Sequence, residues 1–271
     1  MRTTSNPAFR NLPQGQGGYA TFDRQGGLMG GGAAYADAHA SQVGIGRAGA
    51  GERPLTVDDV IVKTALTGGV ALVAGILTAW SGLFGLALPA LLVGFVISLV
   101  IIFRQSTNPV LVLLYSAAEG VALGGLTGML EFSGTNFQGI GFQAIVGTAG
   151  VFVGMLIVYK TGAVRVTPKF TKWLIGASIG VVILMLVNLV AGFFTAGGIG
   201  LRDGSPLAYL FSIVCIGVAA FSLMLDFDMA DRAVKGGAPA KFAWYIAFGL
   251  MTTLVWLYIE ILRLLSYLRS E

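Results

Sequence analysis

From residue 58 onward, long apolar runs alternate with short polar links. Seven runs predict helices over 59–80, 83–103, 108–130, 138–159, 172–196, 206–234 and 242–268. Each is close to the roughly 20 residues that cross a hydrocarbon layer of about 30 Å. The runs are continuous, whereas a membrane barrel is written in alternating segments of about 10 residues. The expected fold class is therefore all-α: a polytopic membrane protein, a seven-transmembrane-helix bundle over 58–271. Pro54, Pro109, Pro168, Pro206 and Pro239 lie at or near the proposed helix starts. Proline fits a first helical turn because its missing N–H has no partner there.

Residues 1–57 contain no such run. Glycines, among them Gly30, Gly31 and Gly32, are mixed with Gln, Ala, Ser and Asp. Apolar surface is too scarce to offset chain entropy, so this stretch reads as a disordered Gly-rich cytoplasmic tail. No apolar core follows Met1, so it does not read as a signal peptide. Gly44, Gly46 and Gly49 match a dinucleotide-binding spacing, but no strand precedes them.

Composition agrees with the pattern. Hydrophobic residues make up 55% and charged residues 11%, against about 25% charged in a typical globular domain. The net charge of +4 is scattered through links, which excludes a nucleic-acid surface. Arg104, the group Lys160, Arg165, Lys169 and Lys172, and the group Arg232, Lys235 and Lys241 occupy alternate links. Basic links mark the cytoplasmic side, so the N-terminus is expected inside. Seven crossings place the C-terminus outside; a last run that dips and returns would place it inside. Cys215 has no second cysteine to pair with and reads as a small buried hydrophobe. The single histidine, His39, lies in the Gly-rich stretch, which argues against a Ser-His-Asp hydrolase, a His-ligated metal site and a zinc protease with two histidines in one helix. No enzyme activity and no cofactor are expected.

Ionisable groups inside the apolar runs point to function, because a carboxylate at bilayer depth is costly. Glu119 lies in the third run with no basic residue within a turn. Structural hydrogen bonding and a place on an ion or proton path both account for it. Asp226 and Asp228 are two apart and point roughly 200° away from each other. Asp228 shares a face with Asp231 and Arg232, which suggests a solvated cluster, and Asp226 is the better inward acid. Both could instead cap the helix end. Glu260 lies deep in the last run and has two candidate partners. Arg263 could pair with it locally, or Asp226 could meet it across the two antiparallel helices. Two close carboxyls would titrate as a unit, and their oxygens suit a hard cation such as calcium. Counted from the link, Asp226 lies about 13 Å deep and Glu260 about 28 Å. Their levels match only if residues 241–247 run along the interface. Small residues recur every four positions at Gly120, Gly124 and Gly128, at Gly150 and Gly154, and at Gly176 and Gly180. Such stripes serve close packing inside a bundle or a homodimer face.

The run FSLMLDFDMADRAV, a link and then LVWLYIEILRLLSYL resemble the last two helices of the Bax inhibitor-1 family, in its YccA-like bacterial branch. AEGVALGGL in the third helix, the seven-span pattern and an arginine after the second helix add to the likeness, which covers 58–268. The resemblance implies a multi-pass protein of the bacterial inner membrane and a pH-sensitive calcium leak. It also implies acids on the last two helices, which fall on Asp226 and Glu260, and a gating arginine, which falls on Arg104. The expected function is a passive cation leak gated by protonation of the acid pair. The alternative is a regulator without transport that binds a membrane-bound quality-control protease, with residues 1–57 as its docking element.

Overall fold

In the computed structural model, the described residues are 47–49, 51–195 and 198–270. They form seven long helices: α1 Val57–Ser81, α2 Ala87–Arg104, α3 Pro109–Ser133, α4 Ile140–Thr161, α5 Pro168–Gly192, α6 Pro206–Lys235 and α7 Ala243–Ser270. Short 3-10 turns at Phe84–Leu86, Thr135–Phe137 and Ala240–Phe242 precede α2, α4 and α7. All seven long elements are long and apolar enough to cross a membrane. The expected all-α fold is observed, and no strand occurs among the described residues.

The helix starts follow local chemistry. Thr56 and Asp59 form a reciprocal capping box at α1, which satisfies two otherwise orphaned donors. Asn108, Thr167 and Ser205 cap α3, α5 and α6, and each is followed directly by proline. Helix α5 consequently starts at Pro168 rather than at residue 172. It ends at Gly192 rather than 196, where the chain turns back and Asn188 Oδ1 accepts from the Ile199 and Leu201 backbone N–H groups.

Helix α7 is central and packs against α1, α3, α4 and α6, whereas α5 packs mainly on α6. Residues 241–247 form the end of the short turn and the first turns of α7, with Ala243, Ile246 and Ala247 fully buried. Because α7 is one unbroken helix, its end lies opposite its start. Near its start, Lys63 of α1 donates to the Ala240 carbonyl, and at its end Arg269 donates to the Asn136 and Gln138 carbonyls.

The stripe on α3 is an interhelical contact. A Cβ on Gly120 would lie 2.3 Å from the Ala71 carbonyl oxygen, and one on Gly124 would lie 2.2 Å from that of Gly75. Backbones of α1 and α3 therefore touch, as small residues permit. Gly150, Gly154, Gly176 and Gly180 have open space at the same position, so they pack no helix of this chain.

The expected tail falls outside the described residues as far as residue 46, and His39 with it. The stretch after it is fastened to the bundle. Ala48 N–H donates to the Gly237 carbonyl, Leu55 N–H to that of Ala238, and Ala240 N–H to that of Arg53. Lys241 also pairs with Glu52 at 2.6 Å. Leu55 and Ala238 are buried by this contact, which ties the stretch just before α1, as a strap, to the link between α6 and α7.

Candidate functional site

Helices α6 and α7 run antiparallel, and their facing residues set the acids. Thr253 donates its hydroxyl to Asp226 Oδ2 at 2.7 Å and also reaches the Gly249 carbonyl at 3.3 Å. Asp226 is partly buried at this contact. Asp228, on the other side of α6, pairs with Arg232 at 2.6 Å, and Asp231 pairs with Lys235. These are i,i+4 pairs at the helix end, where basic residues also suit the helix dipole.

Glu260 does not meet Asp226. Both of its oxygens accept from Arg263 Nη1 at 2.9 Å, and Arg202 Nη2 stands 3.8 Å away. The carboxylate is 1% exposed. Glu260 lies seven residues beyond Thr253 on a continuous helix, or about 10 Å further along the axis. The level mismatch has a simple cause: the link is short and α7 is regular from Ala243, so nothing takes up the difference. In this arrangement the two carboxyls have separate partners and do not meet around one ion. No cluster of three or more metal-ligating acids, histidines or cysteines occurs among the described residues. Arg202 belongs to the link before α6; burial, and then the nearby Arg263 charge, push its pKa down from its usual value. That does not discharge a guanidinium.

The neighbouring threonine leads to the third helix. Tyr115 OH and Thr252 Oγ1 share a hydrogen bond of 3.1 Å. Tyr115 also packs edge-on against Phe248 at 4.9 Å. One turn along α3, Glu119 is 6% exposed, and its Oε2 has no hydrogen-bond partner among the described residues. Gly94 of α2 makes room for it: a Cβ there would lie 2.9 Å from Glu119 Oε1. Adjacent threonines on α7 thus face the surroundings of two different acids. Thr253 holds Asp226, and Thr252 holds the tyrosine beside Glu119.

Tyr115, Thr252 and Thr253 were not singled out from sequence. Their signal was weak: hydroxyls in an apolar run usually bond back to their own helix, as Thr252 also does to the Phe248 carbonyl. Arg104 ends α2 exposed and makes no ion pair with any acid among the described residues.

Seven helices long and apolar enough to cross a membrane, one of them central, with carboxyls buried between them, define a polytopic α-helical membrane protein. The chain belongs to the Bax inhibitor 1 like family, whose model matches residues 6–270. No curated protein matches it.

Proposed function

We propose that the protein is a passive cation leak of the bacterial inner membrane, with calcium as the permeant ion and protons as the regulator. The carrying observation is Glu119: a carboxyl inside an apolar bundle, with one oxygen lacking any hydrogen-bond partner among the described residues. An unsatisfied buried polar atom costs about 1–3 kcal/mol. A helix that needed only packing would gain by replacing it. Asp226, beside Thr253, is the second acid of the path and the proton sensor. Protonation removes its charge and leaves a neutral side chain that can still bond the threonine.

Glu260 takes a different role in this reading. Its carboxylate neutralises Arg263 and steadies Arg202, so it ties the link before α6 to α7. Asp228 belongs to the solvated cluster at the inner mouth. In this reading Arg104 latches that mouth in another state of the protein. The basic links face the cytoplasm, and so does the strap.

The test is calcium entry into liposomes carrying the purified protein, against protein-free liposomes. Calcium entry that depends on the protein and falls at least several-fold in Glu119→Gln supports the leak. Entry equal to that of empty liposomes overturns it.

The strap supports a second reading, a membrane regulator that docks a membrane-bound protease. Residues 48–55 connect the N-terminal segment to the link between α6 and α7, so a partner bound upstream would pull on the helix bearing Asp226. Deleting residues 1–46 separates the readings. The leak keeps its flux without them, and the regulator loses partner capture.

A further inference from the structure

A groove of about 730 Å³ opens on the side of the bundle between α1 and α4, away from Asp226 and Glu260. Helices α1 and α4 do not pack along each other, and α3 and α7 form the floor between them. The floor is apolar from Gly120 to Leu123 and turns polar at Thr127, Tyr258 and Glu131. Thr127 and Tyr258 satisfy each other at 2.8 Å. Glu131 Oε1 accepts from the Gly141 N–H at 3.0 Å. That bond caps α4, whose own N-cap residue, Gly139, has no side chain to do so. Glu131 has no cationic partner among the described residues; Arg269, near the same end, is engaged with carbonyls.

From these observations we infer that the groove binds a phospholipid carrying a primary ammonium headgroup, with its tails in the groove and its ammonium on Glu131. Three features select this occupant. Gly120 to Glu131 spans eleven residues of α3, or about 16 Å, close to one leaflet of a hydrocarbon layer of about 30 Å. Trp80 and Phe142 border the groove at the Glu131 end and are 86% and 72% exposed, which places that end at headgroup level. The free oxygen of Glu131 repels a phosphate and accepts from an N–H donor. A primary ammonium supplies charge and donors together.

The experiment reconstitutes the full chain into vesicles of equal parts phosphatidylethanolamine, phosphatidylcholine and phosphatidylglycerol. The protein is then extracted, and co-retained lipid is measured by native mass spectrometry. The wild type is expected to enrich phosphatidylethanolamine several-fold over both others. Glu131→Gln keeps an acceptor for Gly141 and should still fold, but it should lose the enrichment. Gly68→Trp places a ring at the inner end of the groove, where a Cβ meets nothing within 4 Å, and should lower total retained lipid. N-acetylated phosphatidylethanolamine, tested on unaltered protein, should not be enriched. Equal retention of the three lipids by the wild type, unchanged enrichment in Glu131→Gln, or a lipid-free dimer seated on this face each overturns the proposal.

Discussion

Thr253 on α7 holds Asp226 on α6 through a hydrogen bond of 2.7 Å, and Glu260, for which sequence left Asp226 and Arg263 as candidate partners, is held by Arg263. The interface between the last two helices therefore has two separate polar levels. One pairs a lone acid with a hydroxyl. The other is a closed ion-pair group.

That separation predicts different consequences for the two acids. Removing Glu260 leaves the half-buried Arg263 without its anion. Breaking a buried pair costs about 3–5 kcal/mol, and the lower end applies because the Arg263 side chain is 19% exposed. Glu260→Gln should therefore lower thermal stability markedly, and Glu260→Leu combined with Arg263→Leu should recover most of the loss. Thermal unfolding in detergent checks both. A Glu260→Gln protein as stable as wild type contradicts the tie.

Glu119 predicts the reverse. Its Oε2 has no hydrogen-bond partner among the described residues, so Glu119→Met should raise stability by about 1 kcal/mol while calcium entry falls. Paired unfolding and flux measurements on one preparation read both signs. A destabilised variant would mean that the carboxyl is satisfied in the native protein.

The contact of α1 with α3 predicts a contrast between two glycines. A Cβ at Gly124 would lie 2.2 Å from the Gly75 carbonyl oxygen, and one at Gly150 meets nothing within 4 Å. Gly124→Ala must push the α1 and α3 backbones apart, at about 1–3 kcal/mol as for overpacking generally. Gly150→Ala should be neutral or slightly stabilising, since alanine is the better helix former. Unfolding curves of the two variants test the contrast, and equal curves would contradict it.

The strap carries a pH prediction. Lys241, and then the Gly49 N–H, hold the Glu52 carboxyl below its usual pKa. A depressed folded-state value means that the contact contributes fully above the unfolded pKa of about 4.3. The contribution is lost as pH falls through the folded value. Strap amides at Ala48 and Leu55 should keep steady protection from hydrogen exchange between about pH 5 and 8, after correction for intrinsic rates, and lose it in stronger acid. In Glu52→Gln, the acid-dependent component should vanish. Loss of protection between pH 6 and 8 in the wild type would point to another group.

The helices were legible because each apolar run had to be about 20 residues long and Pro109, Pro168 and Pro206 marked first turns. The pairing of Asp228 with Arg232 was legible from their i,i+4 spacing. The different levels of Asp226 and Glu260 were legible too, in residue counts from the link. Thr253 as the partner of Asp226 was not, because it depends on how two helices face each other, which residue counts within each helix do not set. The strap was hidden for another reason. Its bonds are backbone groups of Ala48, Leu55 and Ala240, which have the same donors and acceptors whatever the side chains. The α1–α3 stripe was visible as spacing, but only coordinates separate Gly120 and Gly124, which touch a helix, from Gly150 and Gly176, which do not.

The central claim is that Asp226 senses protons on a calcium path. It is tested most directly by calcium flux into proteoliposomes across pH 5–8, comparing wild type with Asp226→Asn. The account predicts a wild-type flux that varies with pH and an Asp226→Asn flux that is flat over the same range. An Asp226→Asn protein that keeps the wild-type profile in both shape and magnitude would contradict it.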